Sequence, residues 1–188
     1  MKSSQKKNRR QSESQFYEPT KEALNHFLTA KDYHLEITAD RQLSEDIKQV
    51  LTDYNLFANI VERFIPDLTG YIEEGRTESL TVVKTKSLIV VEVKPGPPRL
   101  KDIFQTKEYA EIFGAKHAFL ISPHPPQEEI KRILGKKSEI LSHTANSGRV
   151  FIGHLSEHHQ TMEEFLQRKP DTGPKWLIES WYPQTPTI

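Results

Sequence analysis

Residues 87–96 read SLIVVEVKPG. The run from Leu88 to Val91 is apolar and mostly β-branched, as suits a buried strand. Its end carries a carboxylate, Glu92, and an ammonium, Lys94, before Pro95, Pro97 and Pro98 stop it. Side chains alternate along a strand, so Leu88, Val90, Glu92 and Lys94 share one face and Ile89, Val91 and Val93 the other. Two charged groups at such a place cost several kcal/mol to desolvate unless they are paired or bind a metal. A strand-end salt bridge and a functional site are the two readings.

Outward from this strand, the upstream stretch SLTVVK (79–84) reads as another strand, joined tightly to it around Thr85. IPDLTGYIE (65–73) reads as a third, with Gly75 as a turn. Downstream, RLKDIFQTKEYAEIF (99–113) has helical spacing, with Leu100, Ile103, Phe104, Ala110 and Phe113 inward and Gly114 as its stop. HAFLIS (117–122) is a buried strand, PQEEIKRIL (126–134) a helix and RVFIGHL (149–155) a strand. TMEEFLQR (161–168) is a short helix, and KWLIESWYP, with both tryptophans, packs on the body. Before the meander, Pro19 opens a helix with Leu24, Phe27 and Leu28 on one stripe, and YHLEIT (33–38) alternates as a strand. LSEDIKQVLTDYNLFANIVERF (43–64) is helical, capped by Ser44 before Ile47, Val50 and Leu51. The expected fold is α/β: a strand meander leading into a crossover helix, giving a mixed sheet flanked by helices. Residues 1–15 read as a disordered basic tail and 16–188 as one domain, with a core at about 17–122 and a C-terminal extension over 123–188.

The acid-x-Lys tripeptide is weak by itself. Composition alone predicts about two copies; the chain has three, at Asp46/Lys48, Glu129/Lys131 and Glu92/Lys94. The first two fall in helical patterns, and only the third ends a β-branched strand. Asp67, after Pro66, opens a strand of the same meander and can share a pocket with Glu92. Two carboxylates in one pocket repel unless a cation lies between them, and hard oxygen ligands suit Mg²⁺ or Mn²⁺. Lys94, on the same face, can hold a water and neutralise charge on a phosphoryl transition state.

Pro66-Asp67 followed by Glu92-Val93-Lys94 resembles the PD-(D/E)xK nuclease superfamily, which has the restriction-endonuclease-like fold. Gln105 and Tyr109, in QTKEY, form a Q-x-x-x-Y element similar to its RecB-like branch; at i and i+4 they are neighbours on one helix edge. The resemblance spans about residues 17–122 and implies a Mg²⁺-dependent nuclease acting on DNA. It implies that Asp67, Glu92 and the Val93 carbonyl ligate Mg²⁺ or Mn²⁺, that Lys94 positions the attacking water, and that Gln105 and Tyr109 support the site. It also implies an acid from the first helix, for which Glu22 is the candidate and Glu18 the second choice. Homodimers are common in such folds. The reading from another class is a non-catalytic nucleic-acid- or protein-binding module that retains the fold.

Composition sets the outer bounds. The 188 residues carry 26 basic and 26 acidic side chains, so no overall field draws the chain to a polyanion; any attraction is local. Candidate phosphate contacts are Lys84 and Lys86 at the expected hairpin tip, Arg99, Lys101, and the KRILGKK run with Lys131, Arg132, Lys136 and Lys137. No aromatic residues interleave with them to form a single-strand stacking platform. The histidines at 143, 154, 158 and 159 match no tight metal-site spacing. There is no cysteine, no run of roughly 20 apolar residues and no apolar-centred leader. The expected setting is the cytoplasm, with no membrane partner.

Overall fold

The computed structural model describes residues 13–28, 32–51, 63–78, 81–142, 148–157, 175–184 and 186. The chain order is α1 (Tyr17–Leu28), β1 (Asp32–Ile37), α2 (Glu45–Val50), β2 (Leu68–Glu78), β3 (Thr81–Val93), α3 (Leu100–Phe113), β4 (His117–Ser122), α4 (Glu128–Lys136), a 3₁₀ turn (Ser138–Leu141), β5 (Arg149–Glu157) and β6 (Trp176–Tyr182). The strands form one six-stranded mixed sheet in sequence order. β1, β2 and β3 are an antiparallel meander; β4 and β5 continue it in parallel through crossovers, and β6 closes the far edge antiparallel to β5.

The alternation expected of residues 88–94 divides the core. Leu88 and Val90 face a cluster with Ile47 of α2, Ile103, Ala110 and Phe113 of α3, Leu134 of α4 and Leu141. Ile89, Val91 and Val93 face the opposite cluster, with Ala23, Leu24 and Leu28 of α1 and Phe119 of β4. Helices therefore cover both faces, as a strand apolar on both sides requires. Ser44 caps α2, its Oγ accepting from Ile47 N at 3.3 Å. α3 stops at Gly114, in the left-handed region at φ 61°, where glycine pays no Cβ penalty.

Several sequence expectations are corrected. Residues 81–93 are one strand, with no turn at Thr85, and Gly75 lies within β2 opposite Lys84. β2 runs to Glu78 and β3 starts at Thr81, so Lys84 and Lys86 lie along β3 and not at its tip. Lys84 pairs with Glu73 at 3.2 Å, and the Lys86 ammonium lies 4.1 Å from the centre of the Tyr71 ring. Phe104 is on the outer side of α3. β5 and β6 belong to the same sheet as the meander, so residues after 122 complete the sheet. Order also begins before residue 16, for Glu13 and Ser14 are helical. The helix expected over 43–64 stops at Val50, where Leu51 turns extended, and Arg63 and Phe64 are not helical; residues 52–62 and the helix expected over 161–168 lie outside the described residues. Among the described residues no helix is long and apolar enough to cross a membrane.

Candidate metal centre

The β2–β3 register pairs Leu68 with Val91. One step further, Asp67 stands opposite Glu92, and antiparallel partners share a face. Asp67 is fixed from three sides. Its Oδ2 accepts from Val93 N at 2.7 Å. Its carbonyl accepts from Thr38 N at 2.8 Å and Ala39 N at 3.1 Å, just past β1. Thr38 Oγ1 also donates to the Pro66 carbonyl at 2.8 Å. Pro66-Asp67 is thus locked at the mouth of the β1–β2–β3 meander.

A third acid joins from the N-terminal segment. Glu13, Asp67 and Glu92 each place a carboxylate oxygen within 4.8 Å of the others. Glu92 is 3% exposed, past the end of the Leu88/Val90 row. Lys94 sits among the acids: its Nζ donates to Glu92 Oε1 in a very close ion pair and to Glu13 Oε1 at 3.2 Å. Its own backbone N is bonded to the Ile121 carbonyl at 2.8 Å, which ties this end of β3 to β4.

Burial and mutual repulsion govern the protons here. Burial pushes the Asp67 carboxyl up to about 6, against the opposing effect of the Val93 N–H. Burial, then the Asp67 charge, pushes Glu92 up to about 8. Burial alone would lower Lys94, but the carboxylates of Glu92, Glu13 and Asp67 outweigh it, so its ammonium holds its proton more tightly than usual. Tyr17 of α1, hydrogen-bonded to Asp67, is kept neutral by burial and by that charge. Three crowded acids with one ammonium between them are short of positive charge, the condition a divalent cation relieves. At an Mg²⁺–oxygen distance of about 2.1 Å, opposite ligands stand about 4.2 Å apart. Adjacent ligands stand only about 3.0 Å apart, and three oxygens on one ion cannot all be opposite, so the carboxylates, now within 4.8 Å of one another, would draw together on binding; three hard oxygen donors fit such an ion.

The acids open into a cavity of about 590 Å³, lined among others by Arg41, Arg63, Gln105 and Tyr109. Gln105 Nε2 donates to the Tyr109 hydroxyl at 2.9 Å, and burial and the Glu92 charge raise Tyr109 above its ordinary range. The Q-x-x-x-Y pair lines the same cavity as the acids. Arg41 has the left-handed φ of 69° in the turn after β1, a conformation that costs a non-glycine residue about 1–3 kcal/mol.

The structure brings together Asp67, Glu92, Lys94, Gln105 and Tyr109, with the Val93 peptide engaged through its N–H. It does not bring Glu22: that carboxylate accepts from Lys175 N at 2.5 Å, and the acid that joins Asp67 and Glu92 is Glu13. Glu18 does not join the cluster either. None of Lys84, Lys86, Arg99, Lys101, Lys131, Arg132, Lys136 and Lys137 lines the cavity; Lys131 is paired with Glu128 at 2.8 Å. Arg41 and Arg63 escaped the sequence reading because neither lies in a charge run. Glu13 escaped because its neighbours are polar and carry no periodicity. Comparisons with family models, curated proteins and solved structures return no match to this chain.

Proposed function

We propose that the chain is a Mg²⁺- or Mn²⁺-dependent nuclease of the restriction-endonuclease-like type, hydrolysing phosphodiester bonds in DNA in the cytoplasm. The observation that carries the reading is the convergence of Glu13, Asp67 and Glu92 within 4.8 Å, with Lys94 among them, at the end of one cavity. Asp67, Glu92, Glu13 and the Val93 carbonyl are the groups that would hold the ion. When bound, it supplies Lewis-acid stabilisation of the charge developing on the phosphoryl oxygens.

The remaining chemistry belongs to the chain. Lys94 binds its proton too tightly to serve as a base. Its role is to donate: it orients the attacking water and offsets negative charge on the phosphate. Val93 N–H and Tyr17 orient the Asp67 carboxylate, whose remaining lone pairs would be left for the ion. Gln105 holds the Tyr109 hydroxyl, leaving the hydroxyl proton to face the cavity. Arg41 and Arg63 at the cavity wall suit the phosphates flanking the reacting one.

The test is cleavage of duplex, nicked and single-stranded DNA by the purified chain with Mg²⁺ or Mn²⁺. Asp67→Ala and Lys94→Ala are expected to abolish cleavage while the circular-dichroism spectrum stays native. Cleavage that survives both substitutions sinks the assignment. Calorimetry adds a second readout: Mn²⁺ should bind the wild type and not Asp67→Ala. A wild type that binds no Mn²⁺ but retains DNA or a protein points to the non-catalytic module.

A further inference from the structure

Phe104 is the large hydrophobic side chain left exposed among the described residues, at 50%. A single surface apolar residue is ordinary; the surroundings of this one are not, and they go against the expectation that no aromatic residue interleaves with the basic ones. The Lys107 ammonium lies 5.8 Å from the ring centre, within cation–π range. Lys101, also exposed, is three residues before Phe104 and four before Gln105, so it adjoins both on the surface of α3. Gln105 and Tyr109 line the cavity that holds the acids. Lys107, Phe104, Lys101 and Gln105 follow one another around α3 in steps of about 40–60°, so the ring and its cations adjoin the cavity wall at Gln105. Exposed Glu108, four residues after Phe104, and exposed Glu111, four after Lys107, are the acids on this side and bar a phosphate from that end.

We propose that Phe104 is a stacking platform for an unpaired nucleobase, with Lys101 and Lys107 on the adjoining phosphates, so that the substrate is single-stranded or strand-separated nucleic acid. The proposal rests on the nuclease reading of the adjoining cavity. An aromatic ring on a rigid helix offers a flat face to a base of any sequence, and the flanking cations follow the backbone. Base faces inside a duplex are already stacked and closed to the ring, whereas a splayed strand presents them. Gln105, about 100° around α3 from Phe104, is the nearer of the two cavity-lining residues, so the ring takes a base outside the cavity, beside its wall.

The experiment is fluorescence anisotropy with labelled oligothymidylate and with a blunt duplex, Ca²⁺ replacing Mg²⁺ to hold the DNA uncut. Phe104→Ala should weaken single-strand binding by about 5- to 150-fold and change duplex binding by less than about two-fold. Phe104→Leu keeps the apolar bulk and should lose as much; Phe104→Trp should restore affinity. A 2-aminopurine base in the strand should be quenched by the wild type and by Phe104→Trp alone. Lys101→Ala should lower the slope of log affinity against log salt by about 1. Unchanged single-strand affinity in Phe104→Ala, an equal loss for duplex, or a native-mass dimer that Phe104→Ala converts to monomer overturns the proposal, the last by giving the ring to a second copy. The two readings fail separately. Cleavage indifferent to Phe104 removes the platform and keeps the nuclease; Phe104-dependent binding without metal-dependent cleavage does the reverse.

Discussion

Glu92→Gln should make the metal-free protein more stable at alkaline pH and leave it nearly unchanged at acid pH. Burial and the facing Asp67 raise the Glu92 carboxyl from 4.5 to about 8, so the folded chain holds this proton more tightly than the unfolded chain. That stability is complete below pH 4.5 and is lost as pH rises through about 8. Glutamine has the shape of the protonated acid and never ionises, so it retains what glutamate loses. At about 1.36 kcal/mol per tenfold change in proton affinity, the whole interval corresponds to about 5 kcal/mol. Water in the open cavity screens part of this, leaving about 2–3 kcal/mol at about pH 9. For a chain of this length each kcal/mol moves Tm by roughly 2–4 °C, so the variant should melt about 4–12 °C above the wild type. At about pH 5 the difference falls below about 1 kcal/mol. Scanning calorimetry in EDTA at both pH values measures it, and Mg²⁺ should then raise the wild-type Tm and not that of the variant. A loss of stability at about pH 9 would refute the reasoning. Glu92 would then be half of a structural salt bridge, whose rupture costs about 3–5 kcal/mol.

Two further outcomes are expected. Mn²⁺ affinity should rise with pH as Asp67 and then Glu92, at about 6 and about 8, give up their protons. Calorimetry at about pH 7 in buffers of different ionisation enthalpy should find about one proton released per ion, and an affinity indifferent to pH counts against these ligands. Gly70→Ala would set a Cβ 2.1 Å from the His34 carbonyl oxygen, forcing β1 away from β2. A loss of about 1–3 kcal/mol or more follows for such overpacking, read from the urea midpoint; an unmoved midpoint would contradict the close approach.

The parts legible in the sequence are those governed by local periodicity. The two-residue period of residues 88–94 placed Glu92 and Lys94 on one face without knowledge of any partner, and the structure keeps that face. β4 occupies the span expected for it because all six of its residues are buried and β4 has no polar face to blur its ends. The β3 error came from reading Thr85, Lys86 and Ser87 as a turn. Polar residues there reflect an exposed, paired stretch of hairpin, and no glycine, proline or asparagine supplied turn geometry. Phe104 was misplaced because an apolar residue next to Ile103 was counted with the stripe, although neighbours on a helix stand about 100° apart. The site was half legible. Asp67, Glu92 and Lys94 share one hairpin, where spacing and register suffice. Glu13, Arg41 and Arg63 reach the cavity from separate segments through tertiary packing, which leaves no local pattern.

The origin of the three carboxylates has a mechanical consequence. Glu13, Asp67 and Glu92 come from an N-terminal segment and from two adjoining strands, far apart in the chain. On the proposed reading, an ion gripping all three would be a reversible cross-link pinning the N-terminal segment to the sheet. It would bind the folded chain in preference to the unfolded one, so by mass action the pinning would tighten with metal concentration. Anchoring that segment and assembling the centre are then one event, and a chain clipped just after Glu13 would keep every strand yet lose a third of the grip.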